Sequence, residues 1–134
     1  MSTTLHDFIG EQYIYAQTPS VTTTTTSEVG IKLPFKCKII SVHAIPQATI
    51  TGQATNYGSY EFYNRGTAGD GTTELGDIDF DNGTNAADFQ AAEVYAPTTE
   101  LAVADATYVS CKVAKTSSGM TIPATTWVIL IRGN

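Results

Sequence analysis

Hydrophobic and polar positions alternate with period two along most of the chain. The densest apolar point is the last run, where Trp127, Val128, Ile129, Leu130 and Ile131 follow one another before Arg132. A membrane span needs about 20 apolar residues, so this run is too short to cross a bilayer. It is also short for a buried helix. Its aromatic and β-branched side chains lose rotamer freedom in a helix and pack well on a pleated sheet. The run predicts a strand buried on both faces, or on one face with a subunit against the other. A central strand this late in the chain closes the fold, so truncating it should be fatal.

Other stretches give shorter strands. In Glu11 to Gln17, Tyr13 and Tyr15 share one side while Gln12, Ile14 and Ala16 share the other. Val21 and the five threonines after it favour an edge strand or an exposed extended segment. Val29, Ile31 and Leu33 alternate inward, and Pro34 interrupts the strand or marks an edge. The same phase runs through Cys37 to Ile39 and then slips, so that Ile40, Val42 and Ala44 take over. A one-residue slip marks a β-bulge, or else a doubly buried stretch. His43 falls outside the later inward set. Tyr60 and Phe62 share a phase opposite Glu61 and Tyr63, and Val109, Cys111 and Val113 point inward. Asp81-Asn82-Gly83 is a tight turn. Residues 85–95, with four alanines and Phe89, are the one stretch compatible with two helical turns, ended by Pro97.

The count is about eight strands, parted by Gly-, Pro- and Asp-rich turns, with at most one short helix. The prediction is all-β, a β-sandwich of jelly-roll type. Parallel α/β would need a crossover helix after most strands. One domain is expected over residues 21–134, preceded by residues 1–20 as an N-terminal arm and first strand with possible partner contact.

Composition narrows function more than it reveals it. Charged residues are 15% of the 134, below the usual ~25%, and Thr and Tyr fill their place. The net charge of -6 repels a phosphate backbone and argues against nucleic acid. Alternation could place Lys32, Lys36 and Lys38 on one side of one strand, as a solvated face or a contact for an acidic partner. Cys37 and Cys111 form no disulfide framework, and small buried thiols are the default reading. Residues 1–7 lack a basic region followed by an apolar run, so no signal peptide is visible and synthesis in the cytoplasm is expected.

Candidate chemistry is sparse. Asp77, Asp79 and Asp81 could supply calcium oxygens, with Asp88 further on. An EF-hand loop wants Gly at its sixth position and Glu at its twelfth, and here Asn82 and Asp88 stand there. The simpler reading has these acids facing water, and no metal or cofactor is expected. His43 shares a strand face with Ser41, but i and i+2 residues lie about 6.5 Å apart along a strand and no nucleophile elbow surrounds the serine. No catalytic residue is assigned and the chain is read as non-enzymatic. Tyr13, Tyr15, Tyr57, Tyr60 and Tyr63, with Trp127, exceed what one small core needs, and tyrosine suits subunit interfaces. Leu5, Phe8 and Ile9 form an apolar arm for its own domain or a neighbouring subunit.

The layout resembles the jelly-roll capsid decoration, or cement, proteins of tailed bacteriophages, together with related β-domains of head fibres and tail proteins. It rests on a short arm and a Thr-rich first strand. A strand like Phe35 to Ala44 follows, then a segment like Leu101 to Ser110 and a closing strand like Thr126 to Ile131, and the likeness covers residues 28–134. The resemblance implies a homotrimer on the outer capsid surface, holding the shell against internal pressure. Leu5, Phe8 and Ile9 would contact the major capsid protein, and Tyr13, Tyr15, Tyr60 and Tyr63 would line the subunit seam. Neither nucleic acid nor membrane is implied as a partner. The alternative within the same resemblance is a receptor- or glycan-binding β-module of a tail or head fibre. The acidic charge, without an evident basic anchor, departs from that pattern.

Overall fold

The computed structural model describes residues 10–22 and 25–133. Nine strands follow in order: β1 (Glu11–Thr18), β2 (Ser27–Lys32), β3 (Cys37–Pro46), β4 (Gly58–Gly66), β5 (Thr73–Asp79), β6 (Ala92–Tyr95), β7 (Leu101–Val103), β8 (Tyr108–Lys115) and β9 (Thr125–Gly133). One sheet runs β1-β9-β3-β6 with β7 also on β3, and the other runs β2-β8-β4-β5. In antiparallel pairs, β1 joins β9, β2 joins β8, β3 joins β6 and β7, and β4 joins β5. This is one long hairpin with its tip at β4–β5, rolled so that successive pairs fall in opposite sheets. β6 and β7 share a single strand position, parted by residues 96–100. Eight positions in that order make a jelly roll.

β9 lies between β1 and β3, as its apolar run requires. Its inward residues Trp127, Ile129 and Ile131 are fully buried. They meet Tyr60, Phe62, Val109, Cys111 and Val113 in one core cluster fed by both sheets. Tyr60 packs edge-on against Phe80 and Trp127, with ring centroids 5.0 and 5.1 Å away. Its hydroxyl lies 2.7 Å from that of Thr125. The Thr125 hydroxyl donates to the Pro123 carbonyl, which leaves the tyrosine as donor to Thr125. A buried hydroxyl without such a partner would cost stability.

The phase slip is a bulge. β3 pairs Ile39 with Ile131 but Ser41 with Leu130, so Ile40 is the extra residue. Ile40 is half-buried rather than inward, and the inward phase resumes at Val42. The β6–β7 interruption, with Pro97, faces this bulge from the other side of β3.

Three expectations are corrected. Residues 85–91 form no helix. Ala86 instead exchanges both backbone bonds with Ile50, and Phe89 donates to the Pro46 carbonyl, so long-range partners replace the helical ladder. Of the threonine run, Thr22, Thr25 and Thr26 are described and lie outside the named strands, and Thr25 donates its N–H to the Thr22 carbonyl. Lys32 and Lys38 are not on one strand, because the chain crosses between sheets at Leu33 to Lys36 and places them in opposite sheets. The first strand expected over Glu11 to Gln17 is β1, which pairs with β9 along eight registered positions.

Candidate interaction face

The two outer faces of the sandwich differ in chemistry. On the four-stranded sheet, cross-strand register builds polar rows. Glu28, Lys112, Glu61 and Asp77 form one, and Gly30, Ser110, Tyr63 and Glu74 form the next. Arg65 ties these rows together. It donates to Ser110, to the Gly71 carbonyl and to Glu28, and stacks over the Tyr63 ring with its guanidinium carbon 4.3 Å from the centroid. Burial alone would raise the Glu28 carboxyl, but the hydrogen bonds of Arg65 and Ser110 and the charges of Arg65 and Lys112 outweigh it and hold its pKa below the ordinary value. Tyr63 donates to Glu61 at 2.6 Å, and this bond, with burial, raises its pKa. Such a face is polar and suits water, and Arg65, Ser110, Glu28, Tyr63 and Glu61 are bonded to one another within it.

On the five-stranded sheet the outward rows are apolar at the centre. Tyr13 sits opposite Leu130, which sits opposite Ser41; Tyr15 sits opposite Val128, which sits opposite His43. Tyr13 is 57% and Tyr15 66% exposed, with ring centroids 6.4 Å apart. Ile40, Ile45, Val128 and Leu130 are half-buried, so no second layer of the described chain covers them. Charge lies around this centre. Arg132 bonds Glu11 and Glu100 at 3.0 and 2.9 Å, and His43 Nε2 stands 3.9 Å from Glu93 Oε2. An apolar centre with a charged rim is the anatomy of a protein–protein interface. The acid excess lies on the other sheet's edge, at Glu74, Asp77 and Asp79 on β5 and at Asp81.

The tyrosines expected at one seam are in three places. Tyr13 and Tyr15 lie on the apolar face. Tyr63 is on the opposite, polar face. Tyr60 has no exposed surface, and its place at a seam is corrected to a place in the core. The sequence did carry the signal. Tyr60 shares its phase with Phe62, whereas Tyr13 and Tyr15 share theirs with Glu11 and Gln17. Leu5, Phe8 and Ile9 fall outside the described residues.

The remaining candidates are dispersed. Ser41 and His43 lie on the open face of β3, with Glu93 beside the histidine, and no hydrogen bond joins the serine to the histidine. Among the described residues, no group of three or more His, Cys, Asp or Glu side chains is placed to hold a metal. Asp77 and Asp79 are exposed on β5. Burial, then the charges of Asp77, Asp81 and Glu61, raises the Asp79 pKa, and burial with Glu61, Asp77 and Asp79 does the same to Glu74. Cys37 and Cys111 are free, buried thiols. Burial pushes Cys37 up to about 11 and raises Cys111 further, helped by Glu28.

No protein-family model, no curated protein and no solved structure matches this chain.

Proposed function

We propose that the protein is a non-enzymatic structural module that acts by laying the outer face of its five-stranded sheet on a protein shell, as a decoration protein does on the outside of a capsid. The observation that carries this reading is the contrast between the two outer faces. One is a polar surface, and the other exposes Tyr13, Tyr15, Val128 and Leu130, with no described residue above them. Contiguous exposed apolar area of this kind marks an interaction site. A protein surface is the occupant favoured, because Arg132 at the rim is already paired with Glu11 and Glu100 and the centre is left to bind by apolar burial. The strands carry the same logic from the other direction. β9 is apolar on both sides, although the fold needs it to be so on one.

The test is localisation of tagged protein on purified virus particles by electron microscopy, followed by binding of the Leu130→Lys variant to the same particles. Label over the head, lost in Leu130→Lys with the fold retained, supports the reading. Label confined to tail tips or fibre ends would replace it with a receptor- or glycan-binding module. Particles without label would remove the viral role.

A further inference from the structure

We propose that two copies of the chain pair through β1, antiparallel about a twofold axis, so that their five-stranded sheets join edge to edge. The argument starts from the backbone. Gly133 donates its N–H to the Gly10 carbonyl at 3.2 Å. The register Glu11↔Arg132 makes those two residues direct opposites, so they form a hydrogen-bonded pair. Antiparallel ladders alternate hydrogen-bonded and non-hydrogen-bonded pairs. Gln12, Ile14, Ala16 and Thr18 therefore bond to β9. Glu11, Tyr13, Tyr15 and Gln17 turn their N–H and C=O groups away from it, toward the open edge. Among the described residues β1 has β9 as its one strand neighbour in the sheet.

Among the described residues, the other edges are guarded and β1 is not. At β5, Gly76 abuts β6 so closely that an added Cβ would meet the Val94 carbonyl oxygen at 2.3 Å. The β6–β7 edge is broken by residues 96–100, with Pro97 among them. β2 has six residues and carries Glu28 and Lys32 outward. β1 has eight residues with no proline, lysine or arginine, and no register shift against β9. Proteins blunt exposed edges with just those devices, and an edge lacking them is a template for another strand.

A second β1 fits this edge in one self-complementary register. With Ile14 on the twofold axis, Tyr13 faces the partner's Tyr15 and Glu11 faces the partner's Gln17. Every outward N–H and C=O of those four residues then finds a partner. Aromatic rings meet across the strands, a stabilising cross-strand pair. Antiparallel pairing also keeps the two Glu11 carboxylates at opposite ends, whereas parallel pairing would set them side by side. The joined sheets present one continuous outer face with four tyrosines at its middle. This doubles the apolar face of the proposed function and brings two weak contacts to the shell together. The pairing itself does not depend on what that face covers. Loss of shell binding with pairing intact would defeat the proposed function alone.

The experiment uses the full chain. Light scattering across a concentration series should give twice the 14.3 kDa chain mass. Amide hydrogen exchange should show Tyr13 and Tyr15 protected at high concentration and unprotected on dilution, while Ile14 and Ala16 stay protected throughout. Tyr15→Pro removes an outward N–H without touching the β9 ladder, a position where edge strands tolerate proline. It should weaken association roughly tenfold or more, since the symmetric contact loses the bond twice. Tyr15→Ser, which keeps the N–H, should weaken it less. A mass of one or three chains across the series would overturn the pairing. So would Tyr13 and Tyr15 amides that exchange freely in the associated protein, or a Tyr15→Ser loss as large as that of Tyr15→Pro. Should the proline variant fail to fold, the exchange pattern of the unaltered chain decides the matter.

Discussion

Trp127 donates its indole N–H to the Thr18 hydroxyl at 3.0 Å, joining residues 109 apart in sequence at the end of the β1–β9 pair. Both side chains are buried, so neither group has water to fall back on. Thr18→Val keeps the shape of the side chain and removes the acceptor. The orphaned indole should cost about 1–3 kcal/mol. For a domain of this size that lowers the melting temperature by roughly 3 to 12 °C. Calorimetry of the two proteins checks it, and an unchanged melt would mean the bond contributes nothing.

Gly76 is the point at which the open side of the sandwich closes. Its α-carbon meets the β6 backbone, and a Cβ there would lie 2.3 Å from the Val94 carbonyl oxygen and 3.0 Å from the Tyr95 Cβ. Backbone gives way less readily than a side-chain end. Gly76→Ala should therefore destabilise by about 1–3 kcal/mol, as overpacking does, despite alanine's smaller conformational entropy cost. Gly30→Ala, in an edge strand with nothing within 4 Å, is the matched control. Urea denaturation of both variants checks the contrast. Equal midpoints would show that the two sheets separate freely at that edge.

Much of this architecture was legible in the sequence because period two is a local signal. The bulge at Ile40 appeared as a slip of phase, and the central place of β9 appeared as apolar residues on both its faces. What escaped was information carried by distant partners. The alanines at 86–92 have helical propensity, but Ile50 takes both backbone bonds of Ala86 and Pro46 accepts that of Phe89, and no local rule sees a partner 36 residues away at Ile50. Lys32 and Lys38 keep one phase across Pro34, so alternation could not show that the chain changes sheets between them. The apolar face was half legible. The double-sided pattern of β9 allowed either a buried strand or one covered by a subunit, and only the position of the other strands distinguishes these. Tyr60 was misplaced because tyrosine count alone ignores which neighbours share its phase.

The two thiols give a prediction about access. Both are buried in the core, from β3 and β8 respectively. Their raised pKa values leave almost no thiolate at neutral pH, and the thiolate is the reactive species. Native protein should show essentially no reaction with a disulfide reagent over minutes. Unfolded protein should titrate two thiols per chain. Rapid reaction of one thiol in the native state would show that its edge of the sandwich opens locally.

The carboxylates at opposite ends of the polar sheet should respond to pH in opposite directions. Glu28 has a folded pKa below its ordinary 4.5. Its ionised form is favoured by folding, so its contribution is present above 4.5 and lost as pH falls through the lowered value. Asp79 has a folded pKa above its ordinary 3.8. Its protonated form is favoured by folding, so that contribution is full below 3.8 and lost as pH rises through the raised value. Both groups are well exposed, which limits each effect to about 0.2–1 kcal/mol. At pH 7 Asp79→Asn should therefore raise the melting temperature by a degree or two, while Glu28→Gln lowers it by a similar amount. The Glu28→Gln difference should shrink below pH 4.5, and the Asp79→Asn gain should shrink as pH falls toward 3.8. Melts at pH 7 and pH 4, with and without chelator, check both. A chelator-sensitive melt, or an Asp79→Asn protein less stable at pH 7, would mean a cation neutralises these acids in solution and that the repulsion assigned to them is wrong.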